Sequence, residues 1–173
     1  MNNRILVTYA SRAGSTAGVA EEIGKSLVEG GAQVDVLPMK NVTDMTPYRA
    51  VVAGSAIQGQ KWLQEAMQFM RAHQSELSHK PFASFMVCIT LSMANADQYR
   101  EGLKGWMSPV RDMVRPVSEG YFAGALDFSK VPFSLNKLAM QFVVLIGMWK
   151  EGDHRDWNAI RSWSESLRCL LLQ

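Results

Sequence analysis

The chain has 173 residues, 47% of them apolar and 20% charged, a balance that fits one globular domain with a real core and excludes a disordered or fibrous chain. Its 18 basic and 16 acidic residues leave a net charge of +2. They are scattered rather than run together, so there is no electrostatic footprint for nucleic acid. Cys88 and Cys169 lie far apart among apolar neighbours with no metal-ligand spacing, which predicts two buried free thiols. The opening apolar run stops at Ala10, too short for a secretion signal. A cytoplasmic protein is expected.

Ile5-Leu6-Val7-Thr8-Tyr9 reads as a first strand, and Val19, Ile23 and Leu27 then recur at spacing four up to Gly30-Gly31, which predicts a helix and its stop. Gln33-Val34-Asp35-Val36-Leu37 reads as a second strand, and Ala50-Val51-Val52-Ala53 as a third that ends at Gly54-Ser55. A helix is expected over about 62–77, a fourth strand over 82–89, a helix over 96–114 despite Pro109, and a fifth strand over 117–126. Asp153, followed by Asp156, is the expected N-cap of a last helix. That helix would turn Trp157, Ile160, Trp163 or Ser164, and Leu167 inward.

Strands alternating with helices imply an α/β domain, a doubly wound five-stranded parallel sheet with helices on both faces. In such sheets ligands bind beyond the carboxyl ends of the strands, where the winding reverses. The first strand-to-helix turn, Ser11-Arg12-Ala13-Gly14-Ser15-Thr16, supplies three hydroxyls, a glycine and consecutive N–H groups at a helix start, all suited to a phosphate. The alternative is an ordinary hydroxyl cap from Ser15 or Thr16. Neither a Gly-x-Gly-x-x-Gly fingerprint nor a Gly-Lys-Ser/Thr loop is present, and no acids cluster at the strand ends. Arg12 is a candidate to neutralise phosphate charge, with a loop that works through hydroxyls and backbone N–H groups alone as the alternative. His73, His79 and His154 stand singly, without ligand spacing, and no metal is expected.

The turn resembles the Thr-x-Thr-Gly-x-Thr phosphate loop of flavodoxins, with Ser11, Gly14 and Thr16 matching and Ser15 in place of the usual Asn. The whole chain resembles flavodoxin-domain proteins of the menaquinone-dependent protoporphyrinogen IX dehydrogenase type. Val51-Val52-Ala53-Gly54-Ser55-Ala56-Ile57, Phe122-Ala123-Gly124-Ala125-Leu126 and the stretch 152–157 carry that likeness. The resemblance implies a flavodoxin-like strand order of 2-1-3-4-5 with an insertion after strand five, and FMN held by Ser11 to Thr16. The loop from Ser55 through Ala56, Ile57, Gln58 and Gly59 to Trp62 would cover the flavin ring. Thr90, Leu91, Ser92, Met93 and Ala94 would contact its edge. Gln58-Gly59-Gln60 lacks the aromatic that flavodoxins place against the ring. Trp62 is the nearest candidate, with a plain core role as its alternative.

Residues 127–152 exceed what a minimal five-stranded sheet needs, and they leave it at the edge where a flavin belongs. Their apolar run is too short to span a bilayer. The sequence leaves open whether 135–149 packs on the domain, on a second copy in a homodimer, or in a membrane interface. The expected activity is an FMN-dependent oxidoreductase that takes electrons from a small-molecule substrate and passes them toward a quinone. Two other roles are an electron carrier with protein partners and a flavin-free interaction domain. Near-neutral charge weighs against the carrier, whose encounters rely on a single-signed surface.

Overall fold

The computed structural model describes residues 3–93, 96–127, 144–145 and 151–172, with the backbone alone for 96–100. Five strands, β1 (Arg4–Ala10), β2 (Gln33–Pro38), β3 (Ala50–Gln58), β5 (Phe82–Cys88) and β6 (Ser118–Ala123), pair in parallel in the order β2-β1-β3-β5-β6. This is the expected 2-1-3-4-5 order of a doubly wound sheet. The extra strand β4 (Lys61–Trp62) folds back on the end of β3 as an antiparallel hairpin, pairing Ile57 with Trp62 and Gln58 with Lys61.

Alternation along each strand divides the core between two faces. Ile5, Val7, Val52, Phe85 and Val87 point to one face, where α1 (Ser15–Glu29) brings Val19, Ile23 and Leu27 and α6 (Trp157–Leu171) brings Ile160, Leu167 and Leu171. Leu6, Val51, Phe82 and Met86 point to the other. Against them pack Met70 of α2 (Gln64–Ala72), Leu77 of α3 (Gln74–Leu77), Leu103 of α4 (Ala96–Gly105) and Val110 of α5 (Ser108–Met113). Gly31, at φ 90°, lets α1 end with Ala32 N–H bonded back to the Leu27 carbonyl.

Several expected boundaries shift. The helix expected over 62–77 begins only at Gln64, because Trp62 is spent in the hairpin, and it breaks at His73. The stretch 96–114 is two helices, with Pro109 in the first turn of the second, where its missing N–H costs nothing. The fifth strand ends at Ala123. Ala125–Leu126 forms a separate strand, β7, antiparallel to β8 (Gly152–Asp153). Asp153 is therefore not the cap of α6: it sits in β8 with its carboxylate held by Arg155, and Asp156 caps the helix by accepting from Ala159 N–H at 2.9 Å. Cys88 is buried as expected, but Cys169 is exposed, because the inward stripe of α6 runs through Ile160, Ser164, Leu167 and Leu171 and leaves position 169 outside. The insertion lies outside the described residues apart from its ends and Val144-Leu145, of which Leu145 is exposed. No helix of the described residues is long and apolar enough to cross a membrane.

Candidate functional site

The loop after β1 enters α1 through Gly14, whose φ of 89° is left-handed and strained for any residue with a Cβ. Ser11 Oγ accepts from Gly14 N–H at 3.0 Å and fixes the turn. Among the described residues no side chain caps α1, and no acidic residue stands in its first turn, so that turn itself supplies no counter-charge to its positive end. Thr16 is fully buried, and its Oγ1 has no hydrogen-bond partner among the described residues. An orphaned buried hydroxyl costs ~1–3 kcal/mol, which favours a ligand that bonds it. The loop thus fits a phosphate better than it fits a hydroxyl-capped helix, since neither Ser15 nor Thr16 caps the turn. Ser15 is tied down elsewhere: its carbonyl accepts from Arg155 Nη1 at 3.4 Å, and its Oγ lies 3.5 Å from where a Cβ on Gly124 would stand.

The second loop is the β3–β4 hairpin. Gly59 at φ 57° and Gln60 at φ 65° are both left-handed, as a two-residue turn matched to strand twist requires. Ser55 faces inward to support it: its Oγ accepts from Leu63 N–H at 3.0 Å and donates to the Ala56 carbonyl at 2.8 Å. Ala56 and Ile57 are half-buried against the core, and Gln58 and Gly59 are exposed. Trp62 is 4% exposed and donates its indole N–H to Met107 Sδ at 3.1 Å. The third loop, Ile89–Ser92, is a 3₁₀ turn closed by Ser92 Oγ on the Ile89 carbonyl at 2.7 Å and Met93 N–H on the Thr90 carbonyl at 3.2 Å. Thr90, Leu91, Ser92 and Met93 are half-buried there, and Ala94 lies outside the described residues.

Two hollows flank the first loop. Tyr9, Ser11, Met39, Lys40 and Glu65 line one of about 230 Å³. The other, about 570 Å³, brings Arg12 together with Gln58 and Trp62, and adds Lys61, Arg71 and Trp106. These last three were not singled out in the sequence, because the hairpin and the α2–α5 contact that gather them leave no local signature. Beside the third loop, Arg111 bonds Glu119 through Nε at 2.6 Å, and Tyr121 donates to Glu119 at 2.6 Å. Burial, then that hydrogen bond, push the Tyr121 pKa up to about 12.

The flavodoxin domain family matches residues 6–157. The chain is 24% identical to a Leishmania major protoporphyrinogen IX dehydrogenase [quinone] over 98% of its own length and 76% of the relative's. Among solved structures, a variant of Pseudomonas aeruginosa flavodoxin superposes with a TM-score of 0.62 at 10% identity, over 98% of this chain and 99% of that one. A variant of Fusobacterium nucleatum flavodoxin bound to flavin mononucleotide gives 0.54 at 10% identity, over 98% and 95%. With the strand order and the glycine-led first loop, the match over most of the sequence places this chain in the flavodoxin domain family.

Proposed function

We propose that the chain binds FMN and acts as an oxidoreductase of the protoporphyrinogen dehydrogenase kind, carrying electrons from a reduced organic substrate to a quinone. The reading rests on the buried, unpartnered Thr16 hydroxyl at the uncapped start of α1. It is supported by the 24% identity to a protoporphyrinogen IX dehydrogenase [quinone] over 98% of this chain. Thr16 and the free N–H groups of the first turn of α1 would hold the phosphate, with Ser11 keeping the loop open through Gly14. The β3–β4 hairpin and the Ile89–Ser92 turn would bracket the ring. When bound, the flavin would supply the redox chemistry, and the chain's own part would be to hold and orient it.

Release and chromatography of the cofactor, followed by turnover with protoporphyrinogen and a quinone, test this directly. FMN and quinone-dependent turnover are expected. Recovery of FAD, or no flavin after reconstitution with excess FMN, overturns the cofactor assignment. A shortened variant separates binding from turnover: replacing residues 130–149 with a short Gly/Ser bridge should leave FMN bound and abolish reduction of a lipophilic quinone. Quinone reduction at the full rate by the shortened protein removes the insertion from the reaction.

A further inference from the structure

The 570 Å³ cleft beside the first loop gathers three cations from three separate elements: Arg12 after β1, Lys61 on β4 and Arg71 in the last turn of α2. Among the described residues no carboxylate lines it. Several cations elsewhere are neutralised, as in Arg4–Asp35, Lys104–Glu101, Arg111–Glu119, Arg155–Asp153 and Arg161–Glu22, and what sets the cleft apart is that three meet around one hollow. None of the three cleft cations has an ion pair or side-chain hydrogen bond among the described residues. Gathering like charges unpaired around one hollow disfavours the empty state and favours an anion within it.

The rest of the wall is apolar, formed by Trp62, Trp106, Met67 and Pro109. Trp62 has already spent its N–H on Met107 Sδ, so what remains for a ligand is its carbon surface. A volume of about 570 Å³ falls in the range that encloses a small organic molecule. We infer that this cleft is a binding site for an organic anion, a ring-sized apolar body bearing acidic groups that meet Arg12, Lys61 and Arg71 while the body lies against Trp62 and Trp106. The site goes beyond the flavin reading and stands or falls separately from it. Arg12 of the first loop and Gln58, Lys61 and Trp62 of the β3–β4 hairpin link the two, since all four line the cleft.

The test is calorimetric titration of the full chain, with and without saturating FMN, using two probes that share one ring body. These are 1-anilinonaphthalene-8-sulfonate and the uncharged N-phenyl-1-naphthylamine. One sulfonate probe should bind per chain, at least ~10-fold tighter than the neutral one, the low end for a bond to a charged group. FMN should not displace it. Lys61→Gln with Arg71→Gln, both at exposed positions, should weaken the sulfonate by ~10-fold or more and leave the neutral probe unchanged, with circular dichroism confirming the fold. Trp106→Phe should weaken both probes. Equal binding of the two probes, or no effect of the double variant, overturns the anion site. Displacement by FMN makes the cleft part of the flavin site and overturns its separateness. Inorganic sulfate competing as strongly as the sulfonate probe removes the organic body from the claim.

Discussion

The tip of the Phe85 ring occupies the space that a Cβ on Gly54 would need. The two residues are direct neighbours across the β3–β5 ladder, and retreat of Phe85 is opposed by Phe122, tilted against it, and Trp163, edge-on to it, both at centroid distances of 6.3 Å. Gly54→Ala should therefore destabilise the domain by ~1–3 kcal/mol or more, the usual cost of overpacking. Phe85→Leu should recover part of that loss in the double variant, a coupling that denaturant unfolding of the four proteins measures.

Thr16→Val keeps the shape and removes a buried hydroxyl that bonds nothing in the apoprotein. Apoprotein stability should hold or rise by up to ~1 kcal/mol, whereas FMN affinity should fall ~10–150-fold, the worth of a hydrogen bond to a charged group. Titration of apoprotein with FMN checks it. Lost thermal stability with unchanged affinity would make Thr16 a structural residue and nothing more.

Gln60 holds a left-handed φ of 65° with a Cβ, at a cost of ~1–2 kcal/mol. Gln60→Gly should raise the unfolding midpoint by relieving most of this strain, with some of the gain lost to the freer unfolded chain. A midpoint that falls would mean that the Gln60 side chain makes a contact worth more than the strain.

Two of the four tyrosines should ionise late. Burial and a hydrogen bond to a carboxylate, Asp35 for Tyr48 and Glu119 for Tyr121, push both up to about 12. In the unfolded chain tyrosine ionises near ~10. The stability these groups contribute is thus complete below about 10 and is lost as pH rises through about 12. Near-ultraviolet absorbance should resolve two late ionisations, one of which disappears in Tyr121→Phe.

Asp156→Ala removes the N-cap of α6 and should cost ~0.5–2 kcal/mol. Asp153→Ala should instead loosen Arg155, which stacks over Trp157 at 4.4 Å and bonds the Ser15 carbonyl, so it should reach the first loop through α1. Comparing FMN affinity in the two variants separates a helix cap from a support of the site.

The sheet was legible because its strands are buried apolar runs between glycines, and α1 because Val19, Ile23 and Leu27 keep one face. The turn into α1 was legible because Gly14, between Ser11 and Ser15-Thr16, marks the break between strand and helix. The hairpin was not, since Gly59-Gln60 lacks the Asn-Gly or Asp-Gly signature of such turns and Trp62 fits a helical spacing with Ala66. Lys61, Arg71 and Trp106 became neighbours only through tertiary packing. Asp153 and Asp156 are equivalent cap candidates by spacing, and only the β7–β8 pairing distinguishes them.

That pairing holds the two ends of the segment 127–151 side by side, with Ala125 against Asp153 and Leu126 against Gly152. Chain spliced between such anchored ends meets a closure penalty that grows only with the logarithm of its length, ~0.6 kcal/mol per doubling. The β7–β8 clip is accordingly a port, through which a longer loop, a reporter domain or a new substrate-binding module can be inserted without reopening the parallel sheet.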